Sequence, residues 1–337
     1  LATRATFADD ALLQQLVDSC DAIIHCAGVN RGTDDEVATG NIHAAERLAN
    51  AAAKSAAFPH IVYTNSTHSR VDNVYGNSKR QAAEILAKAA ASRGTAFTNL
   101  ILPHVFGEFG KPFYNSAVST FCHQLAVGET PTIINDGTLN LVHAHTVARH
   151  CFEAIEQRQS GERELQGRKI QVSALLEKLR GMHAQYAEQQ LIPHLDDPFD
   201  LALFNTLRSY RYPALALTPL TLRSDNRGHL FEAVRTLHGG QAFMSTTHAG
   251  ITRGNHFHTH KIERFLVCAG QAEIKIRKLF SDEVKTFTVS GDAPSYIDMP
   301  TFHTHSITNV GSGELVTLFW AHELFDPQNP DTFAEAV

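Results

Sequence analysis

Residues 250–270 read Gly-Ile-Thr-Arg-Gly-Asn-His-Phe-His-Thr-His-Lys-Ile-Glu-Arg-Phe-Leu-Val-Cys-Ala-Gly. On a strand, residues two apart face the same side, so His256 and His258 can point into one barrel. Glu263 opens the next apolar run and can reach the same point. A second stretch, Pro300-x4-His305-x3-Asn309, supplies a third imidazole from a later strand. Three imidazoles and one carboxylate suit a divalent transition metal: Zn²⁺, Fe²⁺, Mn²⁺ or Ni²⁺. His-x-His alone is commonly an accident of a surface or a core. Four residues of the right type, framed by Gly250 and Gly270, make metal binding the expectation. His260, Lys261 and His303 flank these ligands and read as solvent-facing or supporting groups, one of which could carry a proton.

Outward from this stretch the grammar is β throughout. Segments rich in Phe, Val, Ile and Thr recur from about Leu220, separated by Gly, Asp, Asn and Pro: Leu230–Val234, Ala242–Thr247, Glu263–Val267, Ala272–Arg277, Val284–Val289, Ser306–Val310 and Leu315–Trp320. That pattern predicts an all-β sandwich or barrel. Upstream the grammar differs. Ala11–Val17 has helical spacing with Asp9 or Asp10 to cap it, and Ala22-Ile23-Ile24-His25-Cys26 is a buried strand closed by Gly28. Helix is expected over 41–57, 75–93, 118–127, 147–157 and 172–190, and strand over 60–63 and 99–102. This alternation predicts a parallel, doubly wound α/β sheet. The prolines at 193, 198, 213 and 219 put the boundary near Ala216, with an α/β domain over 1–216 and an all-β domain over 217–337.

Composition narrows the function classes. The 337 residues carry 35 acidic against 29 basic side chains, a net charge of −6, which argues against a nucleic-acid partner. No apolar run approaches the ~18 residues of a membrane span, and no basic-then-apolar leader is present. Five scattered cysteines fit a reducing cytosol better than a disulfide framework.

In the α/β half, Tyr75 and Lys79 sit one turn apart on a helix, and Ser66 closes the preceding strand. An ammonium beside a phenol would pull its pKa down toward working pH, and such a pair can move a proton while a hydride moves. Tyr-x-x-x-Lys is common on any helix, so context decides. The succession Ile24-His25-Cys26-Ala27-Gly28, Thr64-Asn65-Ser66, Tyr75-x-x-x-Lys79 and Leu102-Pro103-His104-Val105-Phe106-Gly107 resembles the extended short-chain dehydrogenase/reductases that act on nucleotide sugars.

That resemblance implies a Rossmann-like fold over roughly 1–215, with Tyr75 as acid/base, Lys79 on the nicotinamide ribose and Ser66 orienting substrate. It also implies a cofactor-lining role for His25, Ala27, Gly28, Asn30 and Pro103. The family opens on a strand and a Gly-x-x-Gly-x-x-Gly turn that holds the pyrophosphate. Nothing here matches it, so roughly one βαβ unit, ~30 residues, is expected to precede Leu1 or to be missing. Leu141-Val142-His143-Ala144-His145-Thr146-Val147 departs from the family's usual Tyr-Val-Asp-Asp-Val. The β half resembles the two motifs of the cupin superfamily, with Phe302 where a glycine is usual.

The two halves together resemble the CapF-type family of capsular-polysaccharide and O-antigen synthesis. The shared strings include Ala27-Gly28-Val29-Asn30-Arg31, Tyr114-Asn115-Ser116, Asp225-x-Arg227-Gly228 and Pro330-Asp331-Thr332. The resemblance implies a cytoplasmic homodimer acting on a UDP-linked 2-acetamido-2,6-dideoxy-4-hexulose. The cupin half would epimerise C3, with Zn²⁺ polarising the C4 carbonyl or holding the cup in shape, and with His260 as candidate base. The other half would reduce C4 with NADPH, giving a UDP-N-acetyl-6-deoxy-talosamine precursor of UDP-N-acetyl-L-fucosamine. Asn115 would contact substrate and Arg4 the 2′-phosphate. Two other classes compete: a non-catalytic metal- or sugar-binding protein with a degenerate reductase half, and a metal-dependent cupin oxygenase.

Overall fold

A computed structural model describes residues 2–221, 223–225, 228–237 and 239–337. Their contacts form two units, Leu1–Val105 with Thr138–Ile170, and Phe106–Gly137 with Gln171–Val337.

In the first unit the apolar runs become strands Ala22–His25, His60–Ser66 and Phe97–Leu102, and Gly161–Glu164 adds a fourth; the sheet is parallel in that order. A parallel sheet is covered on both faces, and alternation along the second strand divides its side chains between them. Ile61 and Tyr63 pack with Leu48, Ala52, Leu86 and Ala90 of helices Asp34–Lys54 and Val74–Ser92. Val62 packs with Leu100, Val147, Cys151 and Ala154, the last three from helix Ala144–Glu156 on the opposite face. The doubly wound reading therefore holds. Of the two candidate caps, Asp9 is the one used, accepting from the Ala11 and Leu12 N–H groups at 2.9 and 3.1 Å. The helix expected from Asn41 begins earlier, at Asp34, because Thr33 and Glu36 form a capping box and three acids in the first turn suit the helix dipole. The fourth strand, Gly-Glu-Arg-Glu, carries no apolar pattern. It is an edge strand whose Glu162 and Glu164 pair with Arg70.

The second unit holds two five-stranded antiparallel sheets. One orders Gln241–Thr247, Leu315–Ala321, Glu263–Ala269, Ser295–Met299 and Leu217–Pro219; the other orders Val284–Ser290, Gln271–Lys278, His303–Asn309, Thr252–Phe257 and Phe333–Ala334. Phe265, Val267, Ile274, Ile276, Ile297, Ile307 and Phe319 form their shared core, as a cupin sandwich requires. The strand expected over 230–234 is corrected: it ends at Leu230, as Gly228–Leu230 paired with Arg223–Asp225. Pro198 opens helix Pro198–Ser209, where a missing N–H costs nothing, and Asp197 caps that helix through the Phe199 N–H at 2.9 Å. Helical residues are fastened to the sandwich by a buried ion pair. Arg264 donates to both Asp298 oxygens at 2.7 and 2.9 Å, its guanidinium lies 3.5 Å from the Tyr296 ring centroid, and the Tyr186 hydroxyl donates to the same carboxylate at 2.7 Å. Among the described residues no helix is long and apolar enough to cross a membrane.

Candidate active sites

Tyr75 is the second residue of helix Val74–Ser92, whose cap Asn73 accepts the Gly76 N–H at 2.7 Å. A Cβ on residue 76 would meet the Val71 and His68 carbonyl oxygens at 2.2 and 2.3 Å. Glycine there lets the loop after Ser66 fold back over the helix start. Ser66 is thereby brought close enough to Tyr75 to act on its phenol. One turn on, buried Lys79 donates to the Thr64 carbonyl at 2.9 Å and lies 4.1 Å from the Tyr63 ring centroid.

The expected depression of the Tyr75 pKa is overturned. Burial pushes the phenol up and Ser66 offsets this only in part. The Lys79 ammonium is turned to Thr64, and burial lowers it to about 8, with Cys26 acting the other way. A neutral phenol is the form that can give a proton.

The turn after the first strand reaches this group through a residue the motifs do not mark. Asn41 accepts the Val29 N–H at 2.9 Å and donates to the Val29 carbonyl at 2.7 Å and to the Ser78 hydroxyl at 3.0 Å. Ser78 in turn donates to the Tyr75 carbonyl at 2.8 Å. Ala27, Gly28 and Asn30 lie exposed on that turn, at the carboxyl end of a parallel strand where ligands of such sheets bind. A Cβ on residue 28 would stand 3.8 Å from the Lys79 ammonium, so backbone there leaves a cradle beside the lysine. These residues fit the nicotinamide end of a dinucleotide. Pro103 is buried just past strand Phe97–Leu102, Asn115 belongs to the second unit, and the side chain of Arg4 lies outside the described residues. His68, also unmarked in the sequence, sets its ring edge-on to both Tyr75 and His104, with centroids 6.1 Å apart in each pair.

His25 is buried and stacked on Tyr63 at 5.3 Å, and burial followed by the Lys79 charge lowers it to about 4. The unfolded chain then binds a proton that the folded one refuses between pH 4 and 6.5, so stability rises with pH across that window. The full effect is about 3 kcal/mol. Urea midpoints measured across this window should show that slope, and His25→Phe, which keeps the ring stack, should remove the His25 share of it and leave the share of buried His303.

In the second unit, strand Thr252–Phe257 runs antiparallel to His303–Asn309 with an irregularity between Gly254 and His256 that sets His256 opposite His305. Gly254 has φ 96°, and a Cβ there would meet the His305 carbonyl oxygen at 2.8 Å. Only glycine fits. Glu263, from the facing sheet, points one carboxylate oxygen at three imidazoles: Oε2 lies 3.0, 3.5 and 3.9 Å from Nε2 of His258, His305 and His256. The ligand atoms of all four residues lie within 4.8 Å of one another.

The tautomers favour a cation. A carbonyl only accepts, so His258 Nδ1, 2.6 Å from the Asp331 oxygen, carries its ring proton, as does His305 Nδ1, 3.2 Å from the His303 oxygen. Each neutral ring then turns an Nε2 lone pair toward a carboxylate, a repulsion that a proton or metal ion must relieve. His305 Nε2 is fully buried with no hydrogen-bond partner, its 3.5 Å approach to Glu263 being too poor to count. Burial opposes ionisation of Glu263, yet the three imidazoles facing its carboxylate hold it well below the usual carboxylate range. Neighbouring ligands on a tetrahedral ion with ~2.05 Å bonds stand ~3.3 Å apart, which the separations here bracket. The donor set fits a divalent transition metal.

His260 does not share the His258 face as a regular strand would require, because the strand ends at Phe257. Its Nδ1 lies 3.2 Å from Asp331 Oδ2 and its Nε2 3.5 Å from Glu323 Oε2. The Glu323 hydrogen bond, against burial, raises its pKa, with Asp331 adding to the effect. His303 is buried rather than solvent-facing, its ring centroid 4.6 Å from that of Tyr212, and burial lowers it to about 4. Lys261 is buried too, donating to the Pro330 carbonyl.

Two known families match the chain, one in each half. Residues 2–170 match the NAD dependent epimerase/dehydratase family, and residues 223–333 match the polysaccharide biosynthesis C-terminal domain. A UDP-2-acetamido-2,6-beta-L-arabino-hexul-4-ose reductase of Pseudomonas aeruginosa is 33% identical, covering 96% of this chain and 88% of its own length. The capsular polysaccharide assembling protein CapF of Staphylococcus aureus superposes with a TM-score of 0.57 at 30% identity, covering 96% of this chain and 89% of that one. SpsL, a spore coat polysaccharide biosynthesis protein of Bacillus subtilis, matches a third of the chain (33%) at 25% identity, over 81% of its own length. The chain belongs to the CapF-like family of capsular polysaccharide biosynthesis, in which an NAD(P)-binding epimerase/dehydratase domain precedes a cupin-like C-terminal domain.

Proposed function

We propose that this chain is a bifunctional nucleotide-sugar enzyme, with a reductase domain over 1–216 and a cupin over 217–337. Its substrate would be a UDP-linked 2-acetamido-2,6-dideoxy-4-hexulose, inverted at C3 in the cupin and then reduced at C4. The product would be a UDP-N-acetyl-6-deoxy-talosamine, the precursor of UDP-N-acetyl-L-fucosamine. What supports this is that one chain assembles both a buried cup of three histidines and a glutamate, and a Ser66–Tyr75 pair beside Lys79. The Pseudomonas aeruginosa relative carries the matching reductase name.

The C4 ketone makes the C3 hydrogen acidic. A divalent ion in the cup, Zn²⁺ in this proposal, would supply a Lewis acid for the carbonyl oxygen. His256, His258, Glu263 and His305 would hold it. His260, its imidazole favoured in the charged form by Glu323 and Asp331, is better suited to return a proton at C3 than to remove one. NADPH, when bound, supplies the hydride at C4. Ser66 orients the ketone oxygen, Tyr75 gives it a proton, and Lys79 with the exposed backbone of Ala27–Asn30 holds the ribose end. The assembly would be a cytoplasmic homodimer.

The test is incubation of the protein with the UDP-4-keto sugar in D₂O, with and without NADPH. Deuterium at C3 without cofactor, and a reduced sugar only with it, is the expected result. A ligand returned unaltered under both conditions overturns the proposal.

A further inference from the structure

The last residues of the chain run across the ends of the strands that carry the metal ligands. Asp331 gathers three consecutive backbone N–H groups onto its carboxylate: Thr259 at 2.9 Å, His260 at 2.9 Å and Lys261 at 2.7 Å. The Thr259 hydroxyl donates to the same carboxylate at 2.6 Å. The Asp331 main-chain carbonyl accepts His258 Nδ1–H at 2.6 Å. Further along, Phe333 and Ala334 pair with Phe257 and His256, and the Glu335 N–H donates to the Asn255 carbonyl at 3.0 Å. Asn255 is the positive-φ residue between Gly254 and His256, at 61°. The tail therefore grips both the irregularity before His256 and the turn after His258.

We propose that Asp331 is a positioning residue for the metal cup, and that residues 330–335 form a strap ordering His256 and His258 for the ion. This rests on the metal centre proposed above. The physical case is a matter of tautomer and aim. Donation from Nδ1 to the Asp331 carbonyl fixes the proton on that nitrogen and directs Nε2 of His258 toward Glu263, 3.0 Å away. The strand has already ended at Phe257, and past it the His258 carbonyl accepts the Phe302 N–H at 2.8 Å. The turn that follows is fixed by a carboxylate bound to three successive N–H groups, in the manner of a backbone nest closed on an anion. Asp331 sits at φ 41°, in the left-handed region, so its carbonyl is held where an unstrained extended residue would not put it.

The backbone geometry selects the variants. Asp331→Gly keeps the left-handed conformation and deletes the carboxylate, whereas Asp331→Asn keeps the shape and one acceptor oxygen. The full chain, stripped of metal, is titrated with Zn²⁺ against a chromophoric chelator, and with Co²⁺ for its visible spectrum. Ring ¹⁵N shifts of His258 in the metal-free protein report its tautomer. The expected result is a 10–100-fold loss of Zn²⁺ affinity in Asp331→Gly, the range for groups that orient metal ligands. An altered Co²⁺ band and loss of the pure Nδ1–H form should accompany it, with Asp331→Asn recovering most of the affinity. Equal affinity and an unchanged spectrum in Asp331→Gly would overturn the positioning role and leave the metal centre standing. Failure of the unaltered chain to take up either ion would overturn the metal centre, and this proposal with it.

Discussion

Tyr75→Phe should lower the rate of C4 reduction by roughly 10³-fold, while C3 deuterium uptake in the absence of NADPH stays at the wild-type rate. The first half follows from proton balance. A hydride added to a ketone leaves an alkoxide, and a positioned acid typically contributes between 10² and 10⁴ to such a step. Of the side chains brought together at the end of the second strand, Tyr75 has the suitable proton. Its phenol is kept neutral by burial and steered by Ser66, whereas Lys79 is turned to the Thr64 carbonyl. A thousandfold corresponds to about 4 kcal/mol of transition-state stabilisation, more than an ordinary neutral hydrogen bond gives. Phenylalanine keeps the ring and with it the edge contact to His68, so a folding defect is not the expected cause of a loss. The second half follows from the two-site proposal, since the cup contains no part of the Ser66–Tyr75 group. The check is single-turnover reduction of a C3-epimerised 4-keto sugar with excess NADPH, beside NMR of the deuterium exchange. Reduction within tenfold of wild type would assign the acid to another group.

Much of this was legible locally. Strand periodicity, the carboxyl ends of parallel strands and the spacing of the four candidate ligands are properties of short stretches, and residues 250–270 carry most of the second unit in miniature. What was not legible depends on residues distant in sequence. Asn41 reads as one more residue of an alanine-rich helix. Its role comes from Val29 and Ser78, 12 and 37 positions away. Asp331 gains its meaning only from a turn about 70 residues earlier. The strand Gly161–Glu164 is all polar because it is an edge, and edges need not follow the apolar pattern. The Tyr75 phenol rises instead of falling because burial outweighs the Ser66 interaction, while Lys79, brought to the right face by helical spacing, turns its ammonium to the Thr64 carbonyl. Spacing predicts neighbours; it does not predict which neighbour a flexible charge selects.

Glu263→Gln is the substitution that separates the two chemistries from the other side. Glutamine is nearly isosteric with glutamate, so the 9%-exposed site keeps its volume while the sole anion of the ligand cluster disappears. With it goes a direct ligand and the one negative charge among the four, and Zn²⁺ affinity should fall by roughly 10³-fold, beyond the 10–100-fold cost of removing a group that merely orients a ligand. If the ion polarises the C4 carbonyl, C3 exchange falls with occupancy, by a similar factor, since a Lewis acid at a developing enolate is worth several kcal/mol. Reduction of a sugar already inverted at C3 should persist, because Ser66, Tyr75 and Lys79 are untouched. Thermal denaturation with and without added Zn²⁺ distinguishes the ion's two roles. A variant that melts near the wild-type temperature yet exchanges no deuterium places the metal in the chemistry. A variant that keeps exchanging deuterium wherever it remains folded would reduce the metal to a fastener of the cup, and the base would then have to be sought among groups that act without it.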